Sequence, residues 1–366
     1  MQLPHPMLPD RPHDHAARQD FIETLRIELT GRLSAGNRTV FSARAADGFV
    51  RRTGKAPATR RDVRQAMLRD PYHQAWSSLM RSTQEMLFGE VGDWANHVPQ
   101  APSRRHAGGT LTLAPELELP PYLTTVDIHC MPGGYFADDQ HGGMTTGLVY
   151  DRAVYLYMMG RLGPKNDACG TIIAAWIKRD FPTIKPRRIL DMGCGVGHST
   201  LPYAAAFPKA DIHGIDVAGP MVRYAHARAE AMGITAHFTQ ANAEHTSFPD
   251  GHFDLVLSHI MLHETSSNAL RNVFAEGRRL LAPGGLMLHA EGTGFANKPL
   301  IDQYLADWDT HFNGEPFIGT LHDTDLRKVL RNAGFATDEI VHTYSAEGHS
   351  RHAGGGLLLI GGTRKG

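Results

Sequence analysis

The sequence predicts a doubly wound α/β domain, a mostly parallel sheet with helices on both faces, placed behind a mainly helical N-terminal region. Three observations carry this. From residue 186 onward, short apolar runs alternate with helix-length amphipathic segments, the order that a parallel sheet with right-handed crossovers needs. Between the first run and its helix lies Asp191-Met192-Gly193-Cys194-Gly195-Val196-Gly197, where three glycines let the backbone turn tightly and approach a ligand. Ahead of residue 98, apolar residues recur at helical rather than alternating spacing.

Residues 1–20 are polar and rich in proline and histidine, and are expected to form an irregular arm. Phe21 to Leu29, Asp62 to Met67 and Pro71 to Phe88 read as helices, the last punctuated by Gly89. Val98 to Pro121, rich in Pro, Gly, Ala and Arg, reads as a linker. Tyr122 to Val126 starts like a strand and runs into a turn at Pro132 to Gly134, with His141 to Met144 and a helical run Val149 to Met159 behind it. Its density of Gly, His, Met and Tyr suits a loop over a ligand, with Tyr135, His141, Met144 and Tyr150 as candidate lid or substrate contacts. Cys169 to Phe181 is a helix leading into the first strand at Ile189 and Leu190.

A helix over Ser199 to Phe207 and a strand over Asp211 to Asp216 follow, then a helix Pro220 to Met232 closed by Gly233 and a strand Ala236 to Thr239. Next come a strand Phe253 to Ser258, a helix Asn268 to Leu281 capped by Thr265 or Ser266, and a strand ending at Glu291. A helix through Tyr304 and Trp308, a helix Asp323 to Ala333, and strands Ile340 to Tyr344 and Gly356 to Ile360 complete the chain. The expected division is an arm over 1–20, a helical lid, substrate or dimerisation region over 21–164, and the α/β domain over 165–366.

At 366 residues the chain suits two domains better than one. A net charge of −1 gives no basic field, so neither nucleic acid nor an anionic membrane is an expected partner; a small molecule is, with a homodimer contact as a further candidate. Three unpaired cysteines, Cys130, Cys169 and Cys194, argue against a disulfide framework, and no apolar run approaches a membrane span; a cytoplasmic protein is expected.

The glycine turn decides between cofactors. A nicotinamide site needs G-x-G-x-x-G, and here the third glycine comes one residue early. Asp191, two residues before the first glycine, would repel a pyrophosphate but suits a ligand with an amino group and a sulfonium. The run Asp191 to Gly197 resembles the first motif of the class I S-adenosylmethionine (SAM)-dependent methyltransferases. Asp211 to Asp216 resembles their strand ending in a ribose-binding acid, Asn242-Ala243-Glu244 their adenine turn, Phe253 to Ser258 the fourth strand, and Leu281-Ala282-Pro283-Gly284-Gly285-Leu286 the turn into the fifth. The resemblance implies a Rossmann-like, seven-stranded, mostly parallel sheet with a reversed last strand. It also implies SAM as cofactor, S-adenosyl-L-homocysteine (SAH) as product, and a cofactor site of Asp191, Gly193, Cys194, Gly195, Gly197, Asp216, Val217, Asn242, Ala243 and Ser258.

Methyl transfer is a displacement at an activated carbon, so the protein must align the acceptor and exclude water; a hydroxyl acceptor also needs a base. The segment Ser258 to Glu264, the following helix, and Leu286 to Glu291 resemble the catalytic half of plant and polyketide O-methyltransferases. That resemblance implies His263 as the base and Glu291 as the residue that orients it, with His259 as a third catalytic candidate. The tryptophan usual after the His-acid pair is replaced by Thr265, and no winged-helix pattern is visible in the first half. The expected reaction is methyl transfer to a hydroxyl of a small molecule.

Alternatives remain open from the sequence. One is C-, N- or S-methylation by proximity without a base; another is a protein or RNA methyltransferase, or a SAM-binding protein without turnover. Metal sets of His259, His263 and Glu264, or of His129, Cys130 and His141, are secondary to a metal-free site.

Overall fold

The computed structural model describes residues 2–98, 107–137, 143–292, 294–295, 298–345 and 356–365. Among them, eight strands form one sheet: β1 (Thr110–Thr112), β2 (Arg188–Met192), β3 (Asp211–Asp216), β4 (His237–Gln240), β5 (Phe253–His259), β6 (Leu281–Glu291), β7 (Ile340–Tyr344) and β8 (Leu358–Thr363). Their spatial order is β1-β4-β3-β2-β5-β6-β8-β7. All neighbours from β1 to β6 in that order pair in parallel, while β8 is antiparallel to both β6 and β7. This is the Rossmann-like sheet with a reversed last strand. The seven expected strands are present, and β1 joins as an eighth at the edge, from the span read as a linker.

Strand alternation sorts the core and aims the site. Ile189 of β2 and Leu255 and Leu257 of β5 face a cluster with Ile173 and Ile177 of the helix Ala168–Asp180 and Val222 of the helix Gly219–Met232. Leu190 and Met192 of β2 and Val256 of β5 face Leu270, Val273 and Phe274 of the helix Ser267–Leu280 on the other side. The Ser266 hydroxyl caps that helix by accepting from Ala269 N at 3.2 Å.

The N-terminal region is helical, with several bounds that differ from expectation. A helix begins at His13, inside the expected arm, and continues through wide turns at Leu29–Leu33 and Phe41–Ala45 to Thr53, ending at Gly54 with φ 74°. Pro71–His97 is one helix, capped by Asp70 accepting from Tyr72 N, and it runs through Gly89 without a break. The strand expected at Tyr122 is a helical turn, Pro121–Thr124, since Pro120 and Pro121 cannot supply ladder donors.

The helix Thr145–Tyr157 joins the two regions. With the helices His13–Glu28 and Pro71–His97 it buries Ile22, Leu87, Val91, Trp94, Leu148 and Leu156, a cluster that extends to Met221 and Tyr224. Asp151 in this helix is fully buried; it accepts from Tyr224 Oη at 3.0 Å and lies 2.9 Å from His198 Nε2 and 3.0 Å from His5 Nε2. Burial favours the neutral acid, but His198, His5 and Arg228 outweigh it and hold the carboxyl well below its usual range. The chain start is thereby fastened beside the glycine turn. No helix among the described residues is long and apolar enough to cross a membrane.

Candidate active site

The turn after β2 forms one wall of a cavity of about 540 Å³. Gly193, Gly195 and Gly197 have φ of 69°, 52° and 79°, the left-handed region that a glycine enters without strain. At Gly193 a Cβ would stand 2.3 Å from Met261 Cγ, so the turn passes beneath Met261 only as glycine. Cys194 N donates to Ile215 O at 2.9 Å, which pins the turn to the end of β3.

Asp216 closes β3 and faces the cavity. Its Oδ2 accepts from Gly195 N and its Oδ1 from Ala218 N, both at 2.9 Å. Burial pushes its carboxyl up to about 6 against those two donors. No cation pairs with it among the described residues, so the carboxylate keeps lone pairs for a ligand's hydroxyls. Asn242 and Ala243 line the same end, and Asn242 Oδ1 accepts from Glu244 N at 2.9 Å, the Asx turn that shapes this loop. A glycine cradle with a half-buried, cation-free carboxylate fits a ligand carrying a ribose diol.

Asp191 and His259 lie on the same sheet face and meet there. Asp191 Oδ2 accepts from Thr200 Oγ1 at 2.5 Å, and its Oδ1 lies 3.3 Å from His259 Nδ1. The other ring nitrogen of His259 is 2.9 Å from Tyr203 Oη. Both nitrogens being engaged, His259 positions Asp191 and is not free to accept a proton from an acceptor. Ser258, one residue earlier, points to the opposite face by strand alternation; its hydroxyl is 2.7 Å from His289 Nδ1 and does not line the cavity. The expectation that Ser258 contacts the cofactor is corrected accordingly.

The cavity is otherwise largely apolar and aromatic, lined by Tyr122, Tyr135, Val154, Tyr157 and Met158, with Tyr150 against the glycine turn. Glu264 and His129 also line it. Glu264 Oε1 accepts from Tyr135 Oη at 2.8 Å and lies 3.4 Å from His129 Nε2, while its Oε2 is buried without a hydrogen-bond partner among the described residues. His129 and Cys130 both have positive φ, 55° and 59°, costly for residues with a Cβ, and this tight turn brings the imidazole to the wall.

His263 is behind that wall. Its side chain is 10% exposed and does not line the cavity; Nδ1 is 2.8 Å from Glu291 Oε2, and Nε2 is 3.6 Å from Glu315 Oε2. Glu291 Oε1 also accepts from Leu262 N at 2.6 Å. Glu315 Oε1 lies 2.7 Å from His129 Nδ1, so one carboxylate spans the two imidazoles. Burial would lower the pKa of His263, but Glu291, Glu264 and Glu315 outweigh it and raise it to about 9. His129 is raised well above its ordinary value against the same desolvation, by Glu315 and Glu264. Two imidazolium ions threaded through buried carboxylates therefore hold the wall at neutral pH. The sequence pairing of His263 with Glu291 is present; His263 itself does not line the cavity, whereas the neighbouring Glu264 does.

This arrangement has a pH signature. A histidine raised from 6.5 to about 9 contributes stability that is complete below 6.5 and lost as pH rises through 9. The melting-temperature gap between the wild type and His263→Gln is expected to shrink steadily from pH 6.5 to 9 in thermal unfolding. A gap constant over that range would contradict a cationic His263.

Of the sequence-derived residues, Asp191, Gly193, Cys194, Gly195, Asp216, Val217, Asn242, Ala243, His259, Tyr135 and Tyr150 line one cavity. Gly197 lies within the turn, its N–H donating to Cys194 O, and Met144 packs in the helical cluster; neither lines the cavity. His141 lies outside the described residues. The proposed metal pair His259 and His263 is split between Asp191 and Glu291. Glu315 carried no local signal, whereas Tyr122, His129 and Tyr157 stood in the segment noted as suited to cover a ligand, though none was singled out.

The comparisons agree with this geometry. A family described as a methyltransferase domain matches residues 189–285. The demethylmenaquinone methyltransferase of Thermus thermophilus is 32% identical over 142 residues, 37% of this chain and 64% of that one. The malonyl-[acyl-carrier protein] O-methyltransferase of Geobacter sulfurreducens is 38% identical over 170 residues, 45% of this chain and 62% of that one. The chain thus spans a little under two thirds of these two relatives. The ubiquinone/menaquinone biosynthesis C-methyltransferase of Vibrio vulnificus is 30% identical over 225 residues, 57% of this chain and 84% of that one. By the domain match and by a relative 30% identical over 84% of its own length, on a mostly parallel sheet with a reversed last strand, the chain belongs to the class I SAM-dependent methyltransferases.

Proposed function

We propose that this enzyme methylates a small, largely apolar acceptor at a hydroxyl oxygen, with Glu264 as the group that takes the acceptor's proton. The observation that carries the reading is Glu264, a carboxylate on the cavity wall beside Tyr135 and His129 whose Oε2 has no hydrogen-bond partner among the described residues. Bound SAM supplies the methyl group. The residues assigned to hold it are Asp216 at the ribose, Asn242 and Ala243 at the base, and the Gly193 to Gly195 turn with Asp191 at the methionine end.

Each residue then has a task that follows from its contacts. Glu264 takes the acceptor's proton, while Tyr135 orients its carboxylate through Oε1. His129 and His263, both cationic, steady the buried carboxylates and hold Glu264 in place. The tyrosines and Val154 enclose the acceptor body and exclude water. His259 acts through Asp191 as a positioning residue.

Methylation at a carbon made nucleophilic by loss of a neighbouring hydroxyl's proton is the second reading. It uses the same base, and both O- and C-methyltransferases are among the named relatives. A panel of small phenols, matched anilines and thioethers, with product mass spectrometry to locate the methyl, separates the readings. Methyl on oxygen, or on a carbon beside a hydroxyl, is the expected result; methyl only on nitrogen or sulfur would overturn the need for a base.

A further inference from the structure

Arg161 is a cation on the cavity wall that the reading above leaves without a task. Arg161 lines the cavity among Val154, Tyr157, Met158, Leu162 and Ile172, and no described residue gives its side chain a hydrogen bond or an ion pair. Elsewhere in the neighbourhood arginines are served: Arg26 donates to Gln84 Oε1 at 2.9 Å and sits over the Tyr157 ring at 4.5 Å, and Arg152 donates to Gln2 and Gln19. Burial lowers the Arg161 pKa, with no carboxylate acting against it. A half-buried guanidinium on a largely apolar wall, with no carboxylate beside it, is free to pair with an anion that enters the cavity.

The backbone delivers this side chain with some strain. The helix Thr145–Tyr157 ends, and Met159 and Gly160 follow in the left-handed region at φ 53° and 67°. At Gly160 a Cβ would stand 2.8 Å from Tyr155 Oη, so the turn that brings the next residue to the wall depends on glycine.

Position says which ligand the cation meets. Along the Thr145–Tyr157 helix, Tyr150 lies over the glycine turn, 3.7 Å from where a Gly195 Cβ would be. Tyr157, about 10 Å further at 1.5 Å per residue, sits with its ring 5.5 Å from that of His129. Arg161 follows Tyr157 through that turn and stands close enough to Arg26, which sits over the Tyr157 ring, for the two charges to repel, so it lies at the Tyr157 end of the cavity.

We propose that Arg161 is the anion-binding residue of the acceptor site, and that the acceptor carries a carboxylate on an aromatic or apolar body, apart from the group that is methylated. A planar guanidinium can take a carboxylate through two parallel N–H···O bonds, which fixes orientation as well as affinity. Arg161 and Glu264 then hold opposite ends: the anion is drawn to the arginine, and the proton-bearing hydroxyl is left at the carboxylate. The inference rests on the acceptor cavity assigned above.

The test uses protein loaded with SAH and a matched pair of probes, 3-(4-hydroxyphenyl)propanoate and its neutral amide, with binding followed by calorimetry. The acid is expected to bind at least tenfold more tightly than the amide, and Arg161→Met, which keeps an apolar stem, is expected to erase that preference while SAH affinity is unchanged. Arg161→Lys, which keeps the charge without the fork, should retain part of it. Equal binding of acid and amide to the wild type, or no binding of either, overturns the proposal. Loss of SAH affinity in Arg161→Met also overturns it, since the arginine would then serve the cofactor. Failure of the wild type to bind SAH at all would instead strike at the functional reading itself.

Discussion

Glu264→Gln is expected to lower kcat by about 10²–10³-fold while SAH affinity stays within twofold of the wild type, because a positioned general base contributes roughly 10²–10⁴-fold. Gln keeps an oxygen to accept from Tyr135 Oη, so the wall retains its shape while the carboxylate charge is gone. The loss should fall on kcat and kcat/KM alike, the pattern of an interaction made in the transition state. His263→Gln is the informative contrast. It removes a cation that pairs with Glu291 at 2.8 Å, so its cost should appear first in thermal stability. Turnover of Glu264→Gln within threefold of the wild type, beside a larger loss in His263→Gln, would return the proton to the histidine.

Asp216→Ala is expected to weaken SAH binding by at least about 10²-fold, since two ribose hydroxyls bonded to a carboxylate are worth about 1.5–3 kcal/mol each. The same change removes the acceptor for Gly195 N and Ala218 N, loosening the turn itself. A second readout separates binding from folding. With its carboxyl pushed up to about 6, Asp216 takes a proton as pH falls below that value and loses acceptor strength. Wild-type SAH affinity should therefore fall between pH 6.5 and 5, and the already weakened affinity of Asp216→Ala should lack that component. Calorimetric titrations at three pH values decide it; a pH-independent wild-type affinity would remove Asp216 from the ribose.

The cofactor end was legible because its constraints are local. Positive φ at Gly193, Gly195 and Gly197 demands glycine, and an acid at the end of a short strand is visible as Asp216. The other end was not, because Tyr122, Tyr157 and Glu264 reach the cavity from segments without a shared periodicity, with Glu315 behind them against His129 and His263. Glu264 and His263 differ by one place on a single tight helical turn, Leu262–Glu264, where successive side chains diverge by about 120°. Which of the two meets the cavity depends on how that turn is anchored, through Leu262 N to Glu291, and spacing does not encode it. His129 enters on a strained turn that a non-glycine sequence does not announce. β1 is three residues long, too short for alternation to rise above a Pro- and Gly-rich background; its pairing with His237 to Thr239 defines it. The helix starting at His13 was hidden by polar residues through Asp20, whose partners, Arg152 for Gln19 and Glu90 for His15, lie far along the chain.

Incubating the protein with methyl-labelled SAM and a soluble extract of its source cells, then following the label by size fraction, tests the central claim most directly. The account predicts label in a small-molecule product whose mass has risen by one methyl group, with the label lost in Glu264→Gln. Label in protein or RNA, or none in any fraction while SAH still binds, would contradict it.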